Sequence, residues 1–92
     1  MAIENFAHKG LKELFISGKT RRIDARVQDK LADLLDILNA MTDLKDLRGV
    51  AGFHALRGDR RGQYAMIITK NWRLTFSFEK GNVRKLNLED YH

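Results

Sequence analysis

The hydrophobic period of this chain changes once, near Gly52, and that change limits the fold more than any other feature. Before it, apolar residues recur at helical spacing. After it, they alternate. Leu11, Leu14 and Phe15 fall at i, i+3 and i+4, which predicts a helix over His8 to Ser17, with Gly18 as its stop. Val27, Leu31, Leu34, Leu35 and Leu38 form one stripe of a longer helix from about Asp24 to Met41, with Asp24 as N-cap. Asp29, Asp33 and Asp36 fall on its opposite side, a solvated acidic face and a poor surface for RNA. Thr42 to Leu47 adds one more turn, ended by Gly49, and Ile3 to Phe6 suits a short first strand.

Beyond Gly52 three strands follow. Tyr64 to Thr69 is apolar on both faces, as a central strand would be. In Trp72 to Phe78, the side chains of Trp72, Leu74, Phe76 and Phe78 point one way; Arg73, Thr75 and Ser77 point the other. Val83 to Glu89 closes the set. Lys70-Asn71 reads as a two-residue hairpin turn, and Glu79-Lys80-Gly81-Asn82 as a second turn. Helices first and a meander last predict an α+β domain, with the N-terminal helices packed on one face of a mainly antiparallel sheet. Ninety-two residues without proline, repeats or low-complexity segments make a single domain, 1–92.

The charge is uneven in a way that bears on partners. Residues 53–92 carry eight basic and four acidic side chains, so the strand half supplies +4 of the net +5. A basic sheet face suits a polyanion such as nucleic acid. The chain has no cysteine, hence no disulfide framework and no cysteine zinc site. No stretch approaches the ~18 apolar residues of a membrane span, and the N-terminus lacks a signal-peptide pattern. The expected location is the cytoplasm, with no membrane partner.

If the helices cover the Trp72 face, Arg73 stands on the open one. His54 lies at an expected strand start, and Arg57-Gly58-Asp59-Arg60-Arg61-Gly62 follows as a turn. Arg57, Arg60 and Arg61 offer planar donors suited to phosphate; an ordinary Gly- and Arg-rich surface loop is an equal reading of the same residues. The chain ends Asp90-Tyr91-His92, a carboxylate, a phenol and an imidazole. Metal-free RNA cleavage needs a group to take the 2′-OH proton, cations to stabilise the phosphorane, and an acid for the leaving 5′-oxygen. Histidine suits proton transfer near neutrality, and arginine serves as fixed charge. Nucleotide-binding, metalloprotease and serine-hydrolase patterns are absent. Glu89-Asp90 is the only adjacent carboxylate pair, and its members point to opposite faces of a strand, which argues against a two-metal nuclease. No cofactor is expected.

Several segments resemble one family. Ile3-x-x-Phe6 followed by Gly10-Leu11-x-x-Leu14-Phe15 is similar to the HigB-type toxins (the plasmid maintenance system killer group) of the RelE superfamily. So are Leu56-x-Gly58-Asp59-Arg60-x-Gly62, Asn71-Trp72-Arg73-Leu74-x-Phe76 and the terminal Asp90-Tyr91-His92. The resemblance implies a compact microbial-RNase-like fold. It implies a toxin of a type II toxin–antitoxin system that cleaves mRNA in the decoding site of the 70S ribosome. A HigA-type helix-turn-helix antitoxin would hold it in check, and operator DNA would be contacted only through that complex. Carried over by position, the site residues are His54, Arg57, Arg73, Asp90, Tyr91 and His92. Close relatives often have lysine at the position of Arg57. An arginine there is confined to charge stabilisation and phosphate binding, which leaves proton transfer to Asp90 and the histidines. The competing reading is a non-catalytic basic module that binds RNA, ribosome or DNA, such as a toxin-derived corepressor.

Overall fold

A computed structural model describes residues 2–90. Helix α1 spans Lys9–Ser17 and α2 spans Ala25–Ala40. Both begin where the side chains dictate. The His8 ring Nδ1 accepts from the Leu11 N–H at 3.3 Å, and Asp24 accepts from the Arg26 N–H at 2.9 Å. Gly18 ends α1 in the left-handed region (φ 82°), donating its N–H to the Leu14 carbonyl. A 3₁₀ turn over Leu44–Leu47 follows, closed by a capping box between Asp43 and Asp46.

Four strands form an antiparallel meander: β1 (His54–Ala55), β2 (Gln63–Ile67), β3 (Trp72–Glu79) and β4 (Asn82–Asp90), in that spatial order. The β3–β4 turn is Lys80-Gly81, with φ of 51° and 83°. Two consecutive positive φ values match the right-handed twist of a hairpin, and glycine takes the second at no steric cost. The β2–β3 connection is longer than the two residues expected. Ile68 and Thr69 both donate to the Trp72 carbonyl, and Thr69 Oγ1 accepts from the N–H groups of Asn71 and Trp72, so residues 68–71 make up the loop.

The N-terminal segment does not form a continuous strand. Ile3 and Phe6 make single parallel bridges to Val83 and Leu86. The cause lies in β4. Thr75 pairs with Asn87 and Ser77 with Arg84, so β4 carries one extra residue at a bulge. Lys85 sits there with φ of 55°, and its N–H donates to Asn5 Oδ1 at 2.6 Å. The bulge interrupts the ladder that Ile3 to Phe6 would need.

The two helices cover one face of the sheet. Leu11, Leu14, Leu31, Leu34, Leu35 and Leu38 pack with Met66, Leu74, Phe76, Leu86 and Leu88, all buried. Phe53, Tyr64 and Phe76 add an aromatic cluster with ring centroids 5.6–6.3 Å apart. Trp72 departs from its expected burial. It is 36% exposed at the start of β3, in a groove with Asp24, Val27 and Asn71, at the rim of the helix layer. Among the described residues no helix is long and apolar enough to cross a membrane.

Candidate active site

Strand pairing arranges the face away from the helices in rows. Ile67, Arg73 and Glu89 form one; His54, Ala65, Thr75 and Asn87 the next; Gln63, Ser77 and Arg84 a third. Pleating sends the intervening residues to the core. His54 on β1 and Arg73 on β3 therefore share a face, with β2 between them; of the two, alternation assigns this face to Arg73 alone.

Each side chain is held by its surroundings. His54 is exposed, and its Nδ1 lies 2.8 Å from the Gly52 carbonyl oxygen. A carbonyl only accepts, so Nδ1 carries the hydrogen when the ring is neutral. Nε2 is then left as an acceptor. Arg73 is half-buried. Its Nη1 donates to the carbonyls of Thr69 (2.7 Å), Trp72 (3.2 Å) and Lys70 (3.3 Å). The guanidinium thus ties down the β2–β3 loop as well as facing the sheet surface, a role that alternation alone does not reveal.

Arg60 lies at the end of a 3₁₀ turn over Gly58–Arg60 and folds back across the sheet. Its Nε and Nη2 donate to Gln63 Oε1 at 3.1 and 2.8 Å. Nη1 donates to Glu89 Oε1 at 2.8 Å, and Nη2 to Glu89 Oε2. Thr75 Oγ1 donates to the same Glu89 oxygen and is 2% exposed, shielded from solvent on a nominally open face. The hydrogen bond from Arg60 holds the Glu89 carboxyl below its ordinary range; burial opposes this and Thr75 reinforces it. Arg57 and Arg61, by contrast, are exposed to either side of the turn.

Asp90 pairs with Trp72, and alternation gives it the face of Leu74 and Leu88, opposite Glu89. Arg60, Arg73 and Asp90 each take part in at least one further interaction. Tyr91 and His92 lie outside the described residues. Among the described residues no three His, Asp or Glu side chains gather as a metal site. Glu89 and Gln63 are members of this face that sequence reasoning passed over, and Thr75 is one that it places here without a role. A signal existed for Glu89: it falls in step with Asn87 on the face opposite Leu86 and Leu88.

The chain matches the HigB-like toxins, described as the RelE-like toxin of type II toxin–antitoxin system HigB, over residues 4–92. It belongs to that family. As a HigB-like toxin it is one half of a toxin–antitoxin pair, so an antitoxin is its partner. The curated relative Endoribonuclease HigB of Proteus vulgaris is 41% identical over 91 residues, spanning 98% of this chain and 99% of that protein. The solved structure of the YoeB/ParE toxin from Agrobacterium tumefaciens shares the fold. It aligns with a TM-score of 0.60 at 20% identity, over 100% of this HigB-like chain and 99% of its own.

Proposed function

We propose that this toxin is an endoribonuclease that cuts mRNA held in the decoding site of a translating ribosome. It acts in the cytoplasm, where both are found. A HigA-type helix-turn-helix antitoxin neutralises it, and operator DNA is met only through that complex. The observation that carries the reading is the shared face of His54 and Arg73, on β1 and β3 with β2 between them, on the uncovered side of the sheet.

The chemistry follows from the residue types. His54 Nε2, an acceptor in the neutral ring, takes the proton of the ribose 2′-OH. The 2′-oxygen attacks the adjacent phosphorus, and Arg73 stabilises the charge of the phosphorane. Arg57 and Arg61 supply further positive charge to the strand. Asp90, whose strand position faces away from His54, orients the His92 imidazole and not that of His54, and Tyr91 stacks on a base. His92 protonates the departing 5′-oxygen. The products are a 2′,3′-cyclic phosphate and a 5′-hydroxyl, and no metal ion takes part. A shallow face orients a flexible strand poorly, so the ribosome supplies the positioning.

End analysis of mRNA cut on programmed ribosomes tests this reading. It expects 2′,3′-cyclic phosphate ends and slow cutting of naked mRNA. Ribosome binding without cleavage would instead favour a binding module.

A further inference from the structure

We infer that the cleft beside the Arg60–Glu89 pair is a second phosphate site, taking a backbone phosphodiester of the mRNA strand close to the one that is cut. The inference rests on the endoribonuclease reading. The cleft has a volume of about 220 Å³ and lies on the same face as His54 and Arg73. Gln63, Ser77, Lys85 and Asn87 line it, with Arg60 and Glu89 along one side.

Its hydrogen-bonding character is one-sided. Gln63 Oε1 accepts twice from Arg60, and a guanidinium has only donors, so the amide oxygen must face it. Asn87 Oδ1 accepts from the Leu88 N–H at 3.0 Å and is oriented for the same reason. Gln63 Oε1 is therefore filled and Asn87 Oδ1 is turned toward the backbone, and both NH₂ groups are left over as donors. Among the described residues neither NH₂ group has a partner within the chain, nor does the Lys85 ammonium. The carboxylate in the wall, Glu89, is already bound by Arg60 and Thr75.

Two amide donors and an ammonium thus converge on one cleft. Nucleobase edges present donors as well as acceptors, whereas a phosphodiester presents acceptors only. The lining fits the phosphodiester. Lys85 reaches the cleft from the β4 bulge, in a left-handed conformation that L side chains rarely adopt. Bulges of this kind re-aim side chains beside functional sites. Ser77 lies four residues along β3 from Arg73, roughly 13 Å at the rise of a strand, so an extended RNA can reach both points.

Two substitutions separate this role from a structural one. Asn87→Asp keeps the oxygen that Leu88 needs, and Gln63→Glu keeps the one that Arg60 needs. Each replaces an outward donor by an acceptor. The probe is a ribosome programmed with mRNA bearing a 2′-O-methyl group at the cut, which binds without reacting. Neutral methylphosphonates are placed singly at positions on either side of it. Wild type should lose affinity about tenfold at one methylphosphonate position away from the cut. Asn87→Asp and Gln63→Glu should bind the unmodified phosphate about tenfold more weakly, ignore that substitution and melt as wild type does. Lys85→Gln should lower the salt dependence of binding by about 0.7 in log–log slope, the value for one phosphate of a single strand. Variants that bind as wild type, wild type indifferent to every flanking methylphosphonate, or losses that depend on base identity would each overturn the site. Cleavage of unmodified mRNA, measured alongside, judges the endoribonuclease reading separately. Wild type that binds but never cuts would sink that reading and leave the phosphate test intact.

Discussion

Glu89 stands directly across the β3–β4 ladder from Arg73, yet its carboxylate grips Arg60, 29 residues away in sequence. The pair ties the turn before β2 to β4 and covers Thr75. It organises the sheet face on which His54 and Arg73 lie.

Replacing Glu89 by alanine removes the acceptor of Arg60 and Thr75 and should cost about 2 kcal/mol of stability, the scale of charge-assisted hydrogen bonds. The pH dependence has a definite sign. The Glu89 carboxyl is lowered from its ordinary 4.5 by Arg60, so its contribution is present above pH 4.5 and disappears as pH falls through the lowered value. Chemical denaturation from pH 7 to 3 should show a shallower acid loss in Glu89→Gln than in wild type. Identical slopes would refute the assignment.

Arg73→Ala should abolish growth arrest and lower cleavage on programmed ribosomes by 10²–10³-fold, on the order of 3 kcal/mol of transition-state stabilisation. It should also melt slightly lower, because Nη1 holds three carbonyls around the β2–β3 loop. A loss of about 1 kcal/mol corresponds to roughly 4–8 °C in a domain of this size. Thermal melting beside single-turnover cleavage separates the two effects. Wild-type toxicity would show Arg73 to be structural alone.

The His8 cap predicts a second acid sensitivity. Its Nδ1 must be unprotonated to accept from Leu11, and burial, aided by Arg22, lowers the pKa from 6.5. Below pH 6.5 the unfolded chain takes up a proton that the folded chain resists, so stability falls with pH. His8→Asn keeps an N-cap acceptor without a titrating group. Its stability should be flatter than that of wild type between pH 7 and 5, measured by urea denaturation.

A chain ending at Tyr91 tests the proposed acid. Loss of one acid–base group typically costs ~10²–10⁴-fold in rate. Single-turnover cleavage should fall by that order, with unchanged melting. Equal rates would transfer the acid role from His92 to another group.

Local pattern determined a large part of this protein. The alternation of Leu74 and Phe76 against Arg73 and Thr75 assigned each residue its sheet face. Asp24 and Gly18 marked helix ends, and the motifs around Arg73 and Asp90 pointed to the family. Those signals are legible because they depend on periods of two and 3.6 and on the conformations single residues permit. Register and long-range pairing are not legible in that way. The bulge at Lys85 shifts β4 by one residue, breaks the expected first strand at Asn5, and turns an ordinary lysine toward a cleft. Arg60 reads equally as a phosphate donor or as an ordinary loop arginine until the fold sets Glu89 beside it. Only the tertiary structure decides which donors on the face are already matched and which remain for a ligand, because hydrogen-bond partners are assigned by proximity in space.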